Sequence, residues 1–230
     1  MKQTGIAALA LLLALNVALG TILGAGMKAY AADTYGLRVG NTEITSETLT
    51  VNGGSGTATY DPKTHTLTLN NYEYNGDGYD DNPDTDNSGE GGGIDYRGDA
   101  DLLIILQGSN SITKSATSKL NYSHGIYFNV EDHTLTISGD GTLDISFAET
   151  TSGIGKRNGI FCEPGAFVME SGSVVTKGGT ANESAGIFAK DDITINGGTF
   201  TGIGNPTTKY ESRAFMSAIP ATKLSSTAEQ

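Results

Sequence analysis

The sequence predicts an all-β protein that folds as a parallel β-helix, a solenoid of about four coils with an N-terminal β cap. Helix signals are nearly missing after residue 31, and a unit of three short apolar strands recurs in the same order. Each strand is a β-branched run bounded by Gly, Asn, Asp or Ser, the pattern of strands separated by turns. Recurrence of a whole unit is typical of solenoids, whose equivalent strands stack about 4.8 Å apart.

The first strand of each unit is marked by a Gly-Ile pair. The copies read "GGIDY", "HGIYF", "NGIFC" and "AGIFA", and their isoleucines are Ile94, Ile126, Ile160 and Ile187. The steps between these isoleucines are 32, 34 and 27 residues. A degraded fifth copy, "SRAFM", follows, and we align its Ala214 with the isoleucines.

A second and a third strand complete each unit. The second strands are "DLLIIL", "HTLTI", "AFVME" and "DITIN", and the third strands are centred on Ile112, Leu143, Val174 and Phe200. Between them lies a Gly-containing turn, which in the last copy is Asn196-Gly197-Gly198. Asn-Gly is also a strong hairpin signal, so a hairpin-rich β-sandwich is the alternative. The recurrence of all three strands in order favours a corner of a coil.

Five segments are expected along the chain. Residues 1–31 read as an export signal, with Lys2, an apolar run over residues 6–26 and the cleavage pattern Ala29-Tyr30-Ala31. The remainder divides into a β segment or cap (32–74), an acidic Gly-rich loop (75–92), the coils (93–216) and a disordered tail or truncated coil (217–230). We therefore expect a secreted or cell-surface protein, which contacts a membrane only through the signal segment if it stays uncleaved.

The charge of the exported part is strongly negative. The full chain has 14 Lys+Arg and 26 Asp+Glu, and the first 31 residues contain two of the bases and no acid, so the exported part carries 12 minus 26, or −14. Such a surface repels nucleic acid and attracts divalent cations. With one cysteine, Cys162, the chain forms no internal disulfide. The strand register places Cys162 on the inward face.

Seven acidic residues lie within residues 75–95, and their spacing suggests a calcium loop. Asp84, Asp86, Ser88 and Gly89 match positions 1, 3, 5 and 6 of a calcium-binding loop, and Asp95 falls at position 12. The candidate metal ligands are Asp84, Asp86, Ser88, Glu90 and Asp95. No helices flank the loop, which excludes a helix–loop–helix hand. The alternative is a solvated acidic loop without metal.

Two groups of aromatic residues are candidate ligand-binding surfaces. Strand alternation places Tyr127, Phe161, Phe188 and Phe215 together on the outer face of successive coils. Such a ladder could stack on sugar rings, or be covered by a loop, the tail or a second chain. Three further tyrosines beside the acidic loop form a second candidate sugar surface: Tyr72, Tyr74 and Tyr79.

The residues resemble a group of exported proteins of Gram-positive anaerobes that are described as carbohydrate-binding-domain-containing proteins. The resemblance rests on "YGLRVG" at 35–40, "YDPKTHTLTLNN" at 60–71 and the Gly-Ile coils. It implies the right-handed β-helix also seen in pectate lyases. It also implies a calcium-associated polysaccharide binder without established catalysis.

Two other functions remain open. A structural or adhesive surface repeat needs no specific sugar affinity. A calcium-dependent polysaccharide lyase needs a base beside a sugar carboxylate, for which Arg97 or Lys156-Arg157 are the candidates. Basic residues are scarce, and no set of acids clusters on one strand, so the non-catalytic functions are favoured.

Overall fold

The computed structural model describes residues 31–82, 89–115, 121–148, 155–205 and 212–217. Within these ranges the protein is all-β, with nineteen strands and no helix. These ranges accordingly contain no helix that could span a membrane. The chain forms two units, residues 1–32 and residues 33–230, and all the strands belong to the second. The predicted signal segment lies outside the described residues apart from Ala31.

Six strands precede the repeats, in the region where the sequence predicts a β segment or cap. They are β1 (Thr34–Val39), β2 (Thr42–Thr45), β3 (Thr50–Gly53), β4 (Gly56–Asp61), β5 (Thr66–Asn70) and β6 (Glu73–Gly76). β1 pairs antiparallel with β2, and β3, β4 and β5 form an antiparallel meander.

Thirteen strands follow, and twelve of them form four consecutive triplets. The first two triplets are β7 (Glu90–Tyr96), β8 (Leu102–Gln107) and β9 (Ser109–Lys114), then β10 (Tyr122–Phe128), β11 (Thr134–Gly139) and β12 (Thr142–Phe147). The next two are β13 (Lys156–Cys162), β14 (Ala166–Met169) and β15 (Ser173–Lys177), then β16 (Ser184–Ala189), β17 (Ile193–Ile195) and β18 (Thr199–Ile203). β19 (Ser212–Ser217) begins a fifth set.

Equivalent strands of the triplets pair in parallel and form three sheets. The Gly-Ile strands make the order β19-β16-β13-β10-β7, which β1 and β2 extend. The second strands make β17-β14-β11-β8, extended by β5, β4 and β3. The third strands make β18-β15-β12-β9-β6. Consecutive strands of a triplet therefore lie in different sheets.

The registers align the predicted repeat residues. Ile94 pairs with Ile126, Ile126 with Ile160 and Ile160 with Ile187, and all four are fully buried. In the second sheet Leu135 lies between Leu102 and Phe167 in the same way. These columns form one continuous hydrophobic core together with Cys162, which is buried as expected.

The Asn196-Gly197-Gly198 turn connects two sheets and does not close a hairpin. β17 before it pairs with β14, and β18 after it pairs with β15. Gly198 has φ +80°, a left-handed conformation that favours glycine. Thr199 N donates to Gly172 O at 2.9 Å, so this turn is bonded to the equivalent turn of the preceding triplet.

The predicted alignment of the fifth copy is wrong by one residue. In β19 it is Phe215, not Ala214, that pairs with Ile187, and Met216 pairs with Phe188. The small residue Ala214 falls at the position of Gly186, so the next residue takes the isoleucine position. Because a shift of one residue exchanges the two faces of a strand, the register removes Phe215 from the aromatic column.

Candidate functional site

Arg97, immediately after β7, is the centre of a group of charged and aromatic side chains, which we call the Arg97 cluster: Arg97, Asp81, Glu90, Asp95, Tyr79 and Tyr127. The Arg97 guanidinium holds both oxygens of Asp95, with Nε–Oδ1 2.8 Å and Nη2–Oδ2 3.1 Å. Its Nη1 donates to Asp81 Oδ2 at 3.0 Å, and Nη2 donates to Glu90 O at 3.1 Å. All three nitrogen atoms of the guanidinium therefore donate hydrogen bonds.

The two residues of the Asp95–Arg97 ion pair differ in solvent exposure, because only Asp95 is fully buried. Asp95 is 2% exposed, whereas the Arg97 side chain is 31% exposed. Burial raises the pKa of Asp95 above its ordinary value, although the hydrogen bonds from Arg97 oppose the rise. Burial lowers the pKa of Arg97, but the hydrogen bonds and charge of Asp95 outweigh it, so the pKa of Arg97 is raised. Arg97 is therefore charged at every physiological pH.

Two of the predicted ligand-binding tyrosines pack on arginines in this cluster. The guanidinium of Arg38 lies 4.2 Å from the centre of the Tyr79 ring, and that of Arg97 lies 5.6 Å from it. Arg97 also lies 4.8 Å from the Tyr127 ring. These cation–π distances fix both tyrosines against the cluster.

The aromatic ladder exists over three residues, but it is buried. The ring centres of Tyr127 and Phe161 are 5.9 Å apart, and those of Phe161 and Phe188 are 4.8 Å apart. The three side chains are 2%, 2% and 9% exposed and form a hydrophobic cluster separate from the main core. Of the two alternatives, the covered ladder is therefore the one that the described residues show. Arg97 covers Tyr127, and Lys156 Nζ lies 5.5 Å from the Phe161 ring.

His124 and Glu90 complete this buried region. The His124 ring stacks on Phe161 at 4.3 Å, and its Nε2 lies 3.7 Å from Glu90 Oε1, longer than a hydrogen bond. Tyr127 donates its hydroxyl proton to Glu90 Oε2 at 3.1 Å. Burial lowers the pKa of His124 to about 4, and Glu90 offsets only part of that effect. His124 is therefore neutral at pH 7.

The predicted metal ligands divide into two groups. Asp84, Asp86 and Ser88 lie outside the described residues. Glu90 and Asp95 are described, and Tyr127 and Arg97 already bond their carboxylates. Among the described residues no group of three or more His, Cys, Asp or Glu side chains could hold a metal ion.

The other two predicted tyrosines belong largely to the interior. Tyr72 is buried in the main core, and this burial raises its pKa to about 12. Tyr74 is partly buried, and its hydroxyl accepts a hydrogen bond from Gly78 N at 2.8 Å. Of the three tyrosines near the acidic loop, Tyr72 therefore offers no surface to a ligand.

A pocket of about 380 Å³ adjoins Arg97, and we call it the Tyr35 pocket. Its lining comprises Thr34, Tyr35, Gly36, Tyr60, His65, Arg97, Gly98 and Asp99. The rings of Tyr35 and Tyr60 are 5.4 Å apart, and the Tyr60 hydroxyl is hydrogen-bonded to His65 Nδ1 at 3.1 Å. His65 has φ +48°, a conformation that non-glycine residues adopt rarely and often at functional sites.

Sequence reasoning missed the pocket because its walls come from three separate segments. β1 supplies Tyr35, the turn between β4 and β5 supplies His65, and the residues after β7 supply Asp99. The antiparallel pairing of β1 with β7 brings the first and last segments together. The local signal in the sequence is that Tyr60, in β4, and His65, in the turn that follows it, are only five residues apart.

Comparison with family models, curated proteins and solved structures finds no match to this chain.

Proposed function

We propose that this protein is an exported, non-catalytic polysaccharide-binding protein built on a right-handed parallel β-helix. The observation that carries the binding function is the Tyr35 pocket, which joins an aromatic wall to polar side chains. The parallel pairing of equivalent strands in three sheets, with consecutive strands in different sheets, supports the β-helix. The export pattern of residues 1–31 supports the location.

The chemistry of the pocket suits a sugar ring. A pyranose presents an apolar face of C–H groups and a rim of hydroxyls, so it needs an aromatic surface beside hydrogen-bonding groups. Tyr35 and Tyr60 supply the rings, and His65 and Asp99 supply polar groups. The volume of about 380 Å³ lies within the range of ordinary small-ligand pockets.

The charge of the pocket favours neutral glycans over acidic ones. Asp99 is exposed at the pocket, and the guanidinium of Arg97 already pairs with Asp95 and Asp81. Asp99 would repel a sugar carboxylate that enters the pocket. Arg97 would not compensate for this repulsion, because its guanidinium is already paired with the two other aspartates. We therefore propose neutral glycans, rather than galacturonides, as ligands of the pocket.

Calcium is a separate part of the proposal. Asp84, Asp86 and Ser88 would provide the oxygen ligands of the acidic loop, since Asp95 is held by Arg97. Asp81 and Glu90 lie on either side of residues 84–88, and both contact Arg97, so calcium bound by that segment would hold Arg97 and the adjoining pocket in place. Calcium would thus assist glycan binding indirectly.

The test is calorimetric titration of the purified protein with cello-oligosaccharides and with oligogalacturonides, each with calcium and with a chelator. Binding of the neutral oligosaccharide, weakened by the chelator, is the expected result. Preferential binding of galacturonides would contradict the assignment of the pocket. Binding of neither sugar would favour the structural or adhesive repeat instead.

The lyase remains the weaker alternative. Arg97, its first candidate base, has its guanidinium bonded to Asp95, Asp81 and Glu90 O, and Arg157 is buried. A base that removes a substrate proton must reach the substrate. The lyase function would require that the protein release unsaturated, ultraviolet-absorbing sugars from polygalacturonate.

A further inference from the structure

The polar wall of the Tyr35 pocket includes His65, whose two ring nitrogens have different surroundings. Nδ1 lies 3.1 Å from the hydroxyl of Tyr60, in a hydrogen bond that either atom could donate. Nε2 has no hydrogen-bond partner among the described residues, and the side chain lines the pocket. In a neutral imidazole one nitrogen donates and the other accepts. The direction of the Tyr60 hydrogen bond therefore decides what Nε2 offers to a ligand.

The Tyr60 hydroxyl has a second hydrogen-bond partner in the interior, the hydroxyl of Tyr96. Tyr60 is 2% exposed and Tyr96 is 1% exposed, so both side chains are shielded from bulk water. The Tyr96 oxygen also accepts the backbone N–H of Ala100. A Cβ on Gly98 would lie 2.5 Å from this oxygen, so the glycine leaves room for the hydroxyl behind the pocket wall. Tyr96 is thus linked to the pocket although it does not line it.

The number of available protons fixes the direction of this chain of hydrogen bonds. A tyrosine hydroxyl has a single proton to donate. If Tyr60 gave its proton to Tyr96, the Tyr96 proton would be buried without an acceptor among the described residues, an arrangement that native proteins rarely contain. Tyr96 therefore donates to Tyr60, and Tyr60 donates to His65 Nδ1. Burial raises the pKa of both tyrosines above the ordinary value, so both keep their protons at neutral pH.

We propose that Tyr96 and Tyr60 hold the proton of neutral His65 on Nε2, so that His65 donates a hydrogen bond to a glycan oxygen in the Tyr35 pocket. This inference rests on the proposed function, because it concerns the same pocket. Asp99, whose carboxylate only accepts, is the complementary group for a glycan hydroxyl. The ligand must therefore present an oxygen acceptor to His65 and an O–H donor to Asp99. A ring, glycosidic or carbonyl oxygen, which has no proton, satisfies the first requirement. Tyr60 and Tyr96 are positioning residues in this arrangement.

His133 provides an internal comparison, because it precedes β11 as His65 precedes β5. The backbone oxygen of each histidine accepts a hydrogen bond from the next strand at 3.1 Å, from Leu103 N for His65 and from Ala166 N for His133. The partner of His133 Nδ1, however, is Asp101 Oδ1 at 3.1 Å, and a carboxylate only accepts. His133 Nδ1 is therefore the donor. The two histidines should carry the proton on opposite nitrogens when both are neutral.

The first test is ¹⁵N NMR of the purified protein at mildly alkaline pH, where couplings between ring protons and ring nitrogens identify the protonated nitrogen. We expect the proton on Nε2 in His65 and on Nδ1 in His133. Tyr60→Phe should shift the Nδ1 signal of His65, and Tyr96→Phe should shift it less, in the same direction. Tyr72→Phe, at a buried tyrosine outside this chain of hydrogen bonds, is the matched control and should leave the signal unchanged. A proton on His65 Nδ1, or a His65 spectrum that both Tyr60→Phe and Tyr96→Phe leave unchanged, would overturn the proposal. The spectrum of the unaltered protein decides the first point even if a variant does not fold.

The second test is calorimetric titration with cello-oligosaccharides. His65→Ala should weaken binding several-fold, and His65→Gln, which keeps an N–H donor on a side chain of similar reach, should restore part of the affinity. Tyr96→Phe should also weaken binding although Tyr96 does not line the pocket, whereas Tyr72→Phe should not. Glycan binding that His65→Ala leaves unchanged would overturn the donor role of His65 and leave the proposed function standing. Absence of glycan binding by the unaltered protein, with the His65 proton on Nε2, would instead refute the proposed function and the donor role together.

Discussion

The Arg97 guanidinium forms two parallel hydrogen bonds to the carboxylate of Asp95, at 2.8 and 3.1 Å. The two residues are separated by one residue at the end of β7, where Asp95 lies in the column that continues through Tyr127, Phe161 and Phe188. An acid therefore occupies the aromatic position in this first strand. Arg97 compensates for it and joins the acidic segment, the aromatic column and the Tyr35 pocket.

Removing Arg97 should destabilise the protein more than removing an ordinary surface arginine. Arg97→Ala leaves the buried Asp95 without its partner, which costs about 3 kcal/mol of unfolding free energy. Glu43→Gln, which breaks the exposed Arg38–Glu43 pair, is the control and should cost less than about 1 kcal/mol. Urea unfolding monitored by circular dichroism measures both. Equal losses would mean that the Asp95 pair contributes no more than a surface pair.

His124 should make the protein less stable as the pH falls from 7 to 5. Its pKa is about 4 in the folded state and about 6.5 when unfolded, so in this window only the unfolded chain takes up the proton. The expected loss is about 2 kcal/mol. His124→Phe should keep the stack on Phe161 and flatten this dependence, as measured by urea unfolding at each pH.

The glycine of the Gly-Ile pair should be required by packing. A Cβ on Gly93 would lie 2.6 Å from Ile112 Cγ2 on the third strand, too close for an unshifted contact. Gly93→Ala should cost about 1 to 3 kcal/mol by overpacking. A double-mutant cycle with Ile112→Ala, which removes the Cγ2 atom in the way, measures the coupling between the two positions. Strict additivity would show that the two side chains do not compete for space.

The acidic loop should control calcium binding. Asp84→Ala combined with Asp86→Ala removes two of the proposed ligands and should weaken calcium binding at least tenfold in calorimetric titration. Far-ultraviolet circular dichroism should stay unchanged, because the strands do not depend on this loop. Asp140→Ala with Asp144→Ala, a pair in and after a turn between strands, controls for net charge. Unchanged affinity in the first variant would locate any calcium site elsewhere.

Tyr35→Ala should reduce neutral glycan affinity about tenfold or more, since one aromatic contact contributes roughly 1 kcal/mol beyond its buried area. Asp99→Asn removes the negative charge of the pocket and should improve the relative binding of galacturonides. Tyr122→Ala, which lies outside the pocket lining, is the control for loss of an aromatic side chain. If Tyr35→Ala and Tyr122→Ala bind equally well, the sugar site is not this pocket.

The sequence by itself determined the strands, their order and the main core. The Gly-Ile repeat identified the column from Ile94 to Ile187, because alternation along a strand and recurrence between copies are both local properties of the chain. The same reasoning failed at "SRAFM", where a single-residue choice of register depends on the pairing partner, Ile187.

Only the tertiary structure decided which side chains are open to a ligand. Tyr127 and Phe161 lie on the outer face as the alternation predicts, yet charged side chains from distant residues, Arg97 and Lys156, cover them. The Tyr35 pocket forms because antiparallel pairing brings β1 against β7. The solvent exposure of a side chain and the residues that it contacts depend on which segments of the chain pack together. The spacing of residues along one strand does not contain that information.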